Sequence, residues 1–296
     1  MKRILEGKVV VVTGGGSGIG RAEALACAAA GARVVVNDLG CQTDGSGVSE
    51  SPADAVVEEI RRSGGTAAAS YESVATWEGG RRIIQTACDA FGTVHVLVNN
   101  AGITRDAMID QMTSEDWDEV IKVNLYGHFN CIRHALPVMK AQKYGRIINT
   151  SSRAGLGSVG HLSYAASKEG IVGLTRSVAQ EVGPVGVTCN CIRPRAATRM
   201  SLRGGRPRQW HESAAAGRIE DVKERGPESV ASLVVYLASE EAGGINGRTF
   251  LVYQGYVGLY RDPYPVQALW TAGDWTVESL RASLPQLFEP DKTGVP

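Results

Sequence analysis

Short apolar runs alternate with longer segments of helical periodicity over the first 255 residues. The runs lack the alternating polar positions of a half-buried strand, so they predict strands covered on both faces. Seven such strands are predicted, at Lys8–Thr13, Arg33–Asn37, Ala67–Ser70, Val94–Asn99, Gly145–Thr150, Val187–Ile192 and Thr249–Val252. Alternation of strand and helix predicts a single-domain α/β Rossmann fold, a doubly wound seven-stranded parallel sheet with helices on both faces.

Six helices are predicted between the strands, at Arg21–Ala30, Pro52–Arg62, Gly79–Phe91, about Thr113–Lys140, Tyr164–Val182 and Pro227–Leu237. Two segments fall outside the alternation. Residues 200–226 are rich in arginine and glycine and are interpreted as a substrate lid. Residues 256–296 form a C-terminal extension, in which the amphipathic stretch Thr276–Phe288 is interrupted at Pro285. The prolines and tryptophans of this extension predict ordered packing.

Composition narrows the class of protein. The 296 residues carry 31 basic and 31 acidic side chains, and this zero net charge argues against a nucleic-acid partner. The sequence contains no run of about 18 apolar residues, so no membrane span is predicted. The apolar run near the N-terminus is too short for a signal peptide. Six cysteines without a CxxC pair predict reduced thiols in a cytoplasmic protein. The histidines lack metal-ligand spacing, so no metal is expected.

A glycine-rich loop, TGGGSGIG at Thr13–Gly20, joins the first predicted strand to the first predicted helix. Its glycines allow a tight turn and close approach to a pyrophosphate, which the helix N-terminus would bind. Asp38 follows about 20 residues beyond the loop, at the end of the second strand, where a carboxylate accepts hydrogen bonds from the adenosine ribose. Because the Asp38 carboxylate would repel a 2′-phosphate, the loop together with Asp38 predicts NAD as cofactor. A turn-capping role for Asp38 stays open, and nearby Arg21 and Arg33 leave NADP as the less favoured alternative.

Tyr164 and Lys168 lie four residues apart on one predicted helix and therefore share a face. An ammonium beside a phenol favours the phenolate, which lets a tyrosine exchange a proton with an alcohol oxygen. Ser151 and Ser152 end a predicted strand 13 and 12 residues upstream of the tyrosine. Carboxyl ends of parallel strands are where such sheets bind ligands.

Together these residues resemble the classical short-chain dehydrogenase/reductases. Matching elements occur in the family's order across residues 7–255: the glycine loop, NNAG at Asn99–Gly102, Asn124 within KVNLYGHF, the serines before YAASK at Tyr164–Lys168, and Asn190 followed by Pro194. The resemblance implies a catalytic tetrad of Asn124, Ser152, Tyr164 and Lys168. It also implies cofactor contacts at Gly14, Ser17, Gly18, Ile19, Gly20, Asp38, Leu39, Ser73, Val74, Asn100, Ala101, Gly102, Tyr164, Lys168, Pro194, Ala197 and Thr198.

In the roles implied by the resemblance, the serine holds the substrate oxygen and Tyr164 is the acid or base. Lys168 lowers the tyrosine pKa and binds the nicotinamide ribose, and Asn124 positions a water of the proton relay. The sequence departs from the family at three places. The usual spacing selects Ser151, whereas the SSxxG pattern selects Ser152, which is favoured. Arg195 stands where glycine commonly follows Pro194, and Ser73-Val74 replaces an acidic residue that often contacts adenine.

Within the family, the sequence resembles the dehydrogenase domain of peroxisomal multifunctional enzyme type 2 and its bacterial relatives. It is carried by VVVNDLG at Val34–Gly40, ADAVVEEI at Ala53–Ile60, YESV at Tyr71–Val74 and KYGRII at Lys143–Ile148. These relatives oxidise (3R)-hydroxyacyl-CoA thioesters with NAD, and some oxidise hydroxysteroids. The resemblance therefore implies a small-molecule substrate, an acyl-CoA or a steroid. It also implies a homodimer or homotetramer built on the helices near 113–140 and 164–182.

Two other functions stay open at this point. One is reduction of a carrier-bound 3-oxoacyl or polyketide-type ketone. The other is a regulatory protein that binds NAD without catalysis, and the intact set of Asn, Ser, Tyr and Lys argues against it. The lid arginines could bind a CoA phosphate or form a solvated loop, and the pattern alone favours neither; they are Arg203, Arg206, Arg208 and Arg218.

Overall fold

The computed structural model of the chain describes residues 3–199 and 226–288. The chain divides into two compact units, Met1–Tyr260 and Arg261–Pro296. The first unit contains the sheet and all the elements that form the candidate site. The second unit is described by itself below.

One eight-stranded sheet forms the centre of the first unit in its described part. Its strands are β1 Val9–Thr13, β2 Arg33–Asn37, β3 Thr66–Ser70, β4 Val96–Asn99, β5 Gly145–Thr150, β6 Val187–Pro194, β7 Thr249–Tyr253 and β8 Tyr256–Leu259. Their order is β3-β2-β1-β4-β5-β6-β7-β8. The order reverses between β1 and β4, and the resulting crevice at their carboxyl ends is where doubly wound sheets bind ligands. The predicted α/β fold is confirmed.

Helices cover both faces of the sheet. They are α1 Gly18–Ala29, α2 Ser51–Arg62, α3 Trp77–Phe91, α4 Ser114–Ile121, α5 Gly127–Ala141, α6 Leu162–Val182 and α7 Glu228–Ala238. The β1 side chains show how one strand supports two cores. Val10 and Val12 pack into the core beneath α1, α2 and α7. Val9 and Val11 pack into the core beneath α3, α5 and α6. A strand buried on both faces needs this continuous apolar sequence.

The eighth strand corrects the predicted count of seven. β8 follows β7 after the turn Gln254-Gly255 and pairs antiparallel to it, with Tyr253 opposite Tyr256. Gly255 has φ of 69°, a left-handed conformation that suits glycine in a two-residue hairpin. The strand was not predicted because YVGL is only four residues long, and a short apolar run does not by itself distinguish a strand from a loop. The sheet therefore continues past the predicted boundary at residue 255.

The helix predicted near 113–140 begins as expected and then changes its winding. The Thr113 hydroxyl accepts a hydrogen bond from the Asp116 N–H at 3.1 Å, which caps α4. A π turn, Lys122–Tyr126, separates α4 from α5. Single π turns within helices are frequent at functional sites. This one carries Asn124, and no sequence signal indicated it.

The second unit contains a short helix, Val277–Ser283, followed by the 3-10 turn Leu284–Phe288. Thr276 caps the helix through a capping box with Ser279. The helix ends where the sequence predicted the interruption, before Pro285. The ordered packing expected from the prolines and tryptophans of the extension stays a prediction.

Candidate active site

A cavity of about 1300 Å³ opens at the carboxyl ends of the central strands. Its walls include the glycine loop after β1, Asp38 after β2, the NNAG segment after β4 and the serines after β5. The first turns of α6 complete it with Tyr164 and Lys168. The sheet topology therefore places the separate sequence motifs in one crevice.

Three glycines of the loop leave no room for a side chain. Gly14 has φ of 64°, and a Cβ placed on it would lie 2.9 Å from the Ala101 Cα. A Cβ on Gly16 would lie 2.8 Å from an Asp38 carboxylate oxygen. Gly20 has a different role, because its Cβ would lie 2.2 Å from the Gly14 carbonyl oxygen. Gly20 thus permits close packing of α1 under the loop and does not itself line the cavity.

The N-terminus of α1 faces the cavity without a side-chain cap. Uncapped N–H groups and the positive end of the helix dipole favour an anion at this position. The Ser17 hydroxyl accepts a hydrogen bond from the Arg199 guanidinium at 3.0 Å. This guanidinium adds a second positive element beside the glycine loop. Arg199 is absent from the cofactor contacts that the resemblance implied.

The Asp38 carboxylate lies at the end of β2 and lines the cavity. Its oxygens accept hydrogen bonds from the Gly16 N–H at 2.8 Å and the Gly40 N–H at 2.7 Å. Asp38 therefore does cap the turn, and the same carboxylate faces the cavity. Arg21 is paired with Glu59 at 2.6 Å, and Arg33 donates to the Phe91 carbonyl at the opposite end of β2. Neither arginine lines the cavity.

Asn100 connects the NNAG segment to the glycine loop through hydrogen bonds. Its amide nitrogen donates to the Thr13 and Gly14 carbonyl oxygens at 3.0 and 3.1 Å. The Thr13 hydroxyl accepts the Asn100 and Ala101 N–H groups in return. These bonds fix the distance between the β1 and β4 loops, which lie side by side in the wall of the cavity.

Asn124 is fully buried behind the cavity wall and does not line it. Its side chain accepts the Ile103 N–H at 2.8 Å and donates to the Ile103 carbonyl at 3.0 Å. It also donates to the Ser167 hydroxyl at 3.1 Å, and that hydroxyl donates to the Tyr164 carbonyl. Asn124 therefore connects the NNAG segment to the first turn of α6, where Tyr164 lies.

The two candidate serines have different surroundings. Ser151 is 1% exposed, and its hydroxyl donates to the Lys168 carbonyl at 2.6 Å. The Ser152 hydroxyl accepts the Ala154 N–H at 3.2 Å, so its own proton stays available to another acceptor. Both residues line the cavity. The geometry commits Ser151 to the backbone of α6 and leaves Ser152 as the donor facing the cavity.

Lys168 is 3% exposed, and its ammonium donates to the Thr150 carbonyl at 2.8 Å. Burial lowers the pKa of Lys168 from 10.5 to about 8. The ammonium lies 5.5 Å from the centroid of the Tyr164 ring. A Cβ on Gly102 would lie 3.3 Å from the same nitrogen, so this glycine keeps the lysine accessible from the cavity.

The family model described as short chain dehydrogenase matches residues 8–203. The chain belongs to the short-chain dehydrogenase family. A hydroxyacyl-CoA dehydrogenase of Mycobacterium tuberculosis is 40% identical over 96% of this chain and 89% of its own. Mouse peroxisomal multifunctional enzyme type 2 is 44% identical over 86% of this chain, which spans only 33% of that enzyme. The crystal structure of a short chain dehydrogenase from Mycobacterium avium, 42% identical, superposes with TM-score 0.82 over 96% of this chain and 95% of its own. The resemblance to this family, stated from the motifs, is confirmed.

Short-chain dehydrogenases bind a nicotinamide cofactor, and the residues present fit such a group. The glycine loop and the uncapped α1 N-terminus suit a pyrophosphate, and Asp38 suits a ribose diol. All the implied cofactor contacts except Gly20 line the cavity. The implied lid falls on residues 200–226, of which the structure describes only Gly226, so its arginines lie outside the described residues.

His161 lines the cavity, although it is absent from the site residues that the resemblance implied. It lies one helical turn before Tyr164, and the two ring centroids are 6.4 Å apart. Its Nδ1 lies 3.0 Å from the Ser158 hydroxyl and its Nε2 lies 3.6 Å from the Asp106 carboxylate. The three-residue spacing to Tyr164 was the sequence signal that could have identified His161.

Within residues 3–199 and 226–288, no group of His, Cys, Asp and Glu side chains could hold a metal ion. No helix in the same residues is long and apolar enough to cross a membrane.

Proposed function

We propose that this dehydrogenase uses NAD to transfer hydride between a secondary alcohol or ketone and nicotinamide, with a 3-hydroxyacyl-CoA or a hydroxysteroid as substrate. One observation carries the proposal. A buried ammonium, Lys168, lies beside the Tyr164 ring in a cavity that also contains Ser152 and a phosphate-binding glycine loop. A purely binding protein needs the loop but has no need for the tyrosine and its neighbouring cation.

The hydride chemistry belongs to the cofactor, and the chain supplies binding and proton transfer. The Ser152 hydroxyl donates a hydrogen bond to the substrate oxygen, and Tyr164 takes the proton from that oxygen during oxidation. The Lys168 ammonium stabilises the phenolate and binds the nicotinamide ribose. Asn124 fixes the loop and helix between which a relay water would be held.

The substrate class is supported by the relatives and by the size of the cavity. The Mycobacterium tuberculosis relative is named a hydroxyacyl-CoA dehydrogenase. A cavity of about 1300 Å³ exceeds the ~300–1,000 Å³ of ordinary small-molecule pockets, as expected when cofactor and substrate share it. The proposed lid at 200–226 would bring arginines to a CoA phosphate or a carboxylate. The C-terminal extension is not part of the proposed chemistry.

The deciding experiment is NADH formation with a panel of (3R)-hydroxyacyl-CoA thioesters and 17β-hydroxysteroids, with 3-oxoacyl carrier substrates assayed in the reductive direction. Turnover on the thioesters or steroids supports the proposal. Preference for the carrier-bound ketones supports the alternative ketoreductase. Tight NAD binding without turnover on any substrate would show a regulatory binding protein.

An Asp38→Ser variant is expected to raise the KM for NAD by about tenfold or more, because hydrogen bonds to a charged group contribute about 1.5–3 kcal/mol. The KM for NADP should fall, since the carboxylate that repels a 2′-phosphate is gone. Initial rates with both cofactors measure this preference.

The matched control for that experiment is Asp54→Ser. Asp54 also accepts a hydrogen bond, from the Tyr71 hydroxyl at 2.6 Å, but it lies on α2 outside the cavity. This variant should leave both KM values unchanged. An Asp38→Ser enzyme with unaltered cofactor preference would show that Asp38 only caps its turn.

A homodimer or homotetramer is also proposed, as closed symmetry is common among soluble oligomers. The helix pair α4 and α5 with its π turn carries exposed aromatic side chains, Trp117, Tyr126 and Phe129. Exposed apolar patches of this kind mark interaction surfaces. Light scattering at micromolar concentration should give a mass of two or four chains, and a monomer would contradict the proposal.

A further inference from the structure

A buried arginine lies directly behind the candidate serine. Arg193 belongs to β6, whose sequence VTCNCIRP is otherwise apolar or small and polar, and it is 3% exposed. An arginine is rarely buried without partners because desolvating its charge is costly. Its position at the carboxyl end of β6, next to β5, brings it to the wall of the cavity without making it part of the lining.

The guanidinium contacts three elements at once. Its Nη1 donates to the Ser152 carbonyl at 2.9 Å. Its Nη2 donates to the Glu169 carboxylate at 2.7 Å, and Glu169 follows Lys168 on α6. Its Cζ lies 5.0 Å from the centroid of the Tyr260 ring, just after β8. The guanidinium therefore links the end of β5 to α6 and to the end of the sheet.

The bond to the Ser152 carbonyl acts on the turn that aims the serine side chain. In that turn, the Ala154 N–H donates to the Ser152 hydroxyl and the Gly155 N–H donates to the Ser152 carbonyl at 3.2 Å. Gly155 leaves space for the ion pair, because a Cβ there would lie 2.7 Å from the Glu169 carboxylate. The peptide of Ser152 is thus held from the side opposite the cavity by a charged group on a rigid strand.

We infer that Arg193 is a positioning residue that fixes the orientation of Ser152 toward the substrate oxygen, with Glu169 holding the guanidinium in place. The inference rests on the proposed function for its kinetic consequence. Arg193 does not touch the cavity, so it acts on the substrate only through Ser152. Its loss should therefore change kcat more than substrate or cofactor binding.

The kinetic test is an Arg193→Met variant. We expect kcat to fall about tenfold or more while the KM for cofactor stays within about twofold, because small misplacements of a catalytic group reduce rates strongly. In a Ser152→Ala background, the same substitution should give no further loss of kcat. Arg193→Lys, which can keep one of the two bonds, should recover part of the loss.

Arg146→Met is the matched control. Arg146 is a buried arginine at the amino end of β5 that donates to the Ser239 and Gly145 carbonyls, away from the cavity. Its variant should lose stability but keep the wild-type kcat. Equal kcat losses in both variants, or additive losses in the Ser152→Ala background, would overturn the inference.

A second measurement does not depend on turnover. Hydrogen exchange at the Ala154 and Gly155 amides should accelerate at least about tenfold in Arg193→Met, and less in Glu169→Gln, relative to Arg146→Met. Glu169 is 46% exposed at its side chain, so its variant should fold. Unchanged exchange at these amides would contradict the positioning role even if no substrate of the protein were turned over, whereas absence of turnover alone counts against the proposed function.

Discussion

A Tyr164→Phe variant is expected to lose at least about 100-fold in turnover, since general acid–base catalysis contributes ~10²–10⁴-fold. Phenylalanine keeps the ring beside the Lys168 ammonium and removes only the hydroxyl that exchanges a proton with the substrate. The cofactor affinity should therefore change little. Steady-state rates on the best substrate of the panel, together with a titration of NAD, measure both quantities.

Tyr236→Phe is the matched control for this experiment. Tyr236 lies on α7, is 41% exposed and does not line the cavity. Loss of its hydroxyl should leave turnover and NAD affinity at wild-type values. A Tyr164→Phe enzyme with wild-type turnover would show that another group exchanges the proton.

The surroundings of Lys168 explain why a lysine rather than an arginine suits this position. Burial lowers its pKa to about 8, so near neutral pH the ammonium is charged but close to its titration range. A lysine is a compact point charge whose pKa shifts readily, whereas an arginine stays protonated. The Thr150 carbonyl holds the ammonium in place, and Thr150 immediately precedes the two serines on β5.

Most of the fold could be predicted from the sequence because strands buried on both faces of a doubly wound sheet have uninterrupted apolar sequences. VVVVT at β1 and RVVVN at β2 were located for that reason. β8 was missed because an edge strand paired on one side needs no such run. The π turn was missed because it changes the winding of a helix without changing the residues that helices favour.

The candidate site also has features that the sequence predicted and features that it did not. Its motifs could be found because the glycine loop and the Tyr164–Lys168 pair have fixed spacing within one element. The spacing to Tyr164 favoured Ser151 and the SSxxG pattern favoured Ser152, so the choice of Ser152 rested on the pattern alone. Neither shows which hydroxyl is bound to the α6 backbone, a contact between elements far apart in sequence. Arg193 was missed for the same reason.

A Glu23→Gln variant is expected to be more stable than the wild type, and increasingly so as the pH rises. Glu23 lies on α1 with no exposed surface, and neither carboxyl oxygen has a hydrogen-bond partner in the described residues. Burial raises the pKa of Glu23 from 4.5 to about 8. Glutamine has nearly the same shape and cannot ionise, so it removes the cost of keeping a buried acid protonated.

The pH dependence follows from the two states of this carboxyl. The folded protein keeps the proton up to about pH 8, whereas the unfolded chain loses it near pH 4.5. Ionisation therefore favours the unfolded state between these values, and Glu23 lowers the free energy of unfolding by ~1.4 kcal/mol per pH unit there. The advantage of Glu23→Gln should grow from about pH 4.5 to pH 8 and stay constant above it.

Urea unfolding at pH 5, 7 and 9 measures this difference, with Glu58→Gln as the matched control. Glu58 is an exposed carboxylate on α2, paired with Arg62 at 3.4 Å, and surface substitutions of this kind change stability by less than about 0.5 kcal/mol. A constant difference between Glu23→Gln and the wild type from pH 5 to 9 would mean that Glu23 ionises normally in the folded state.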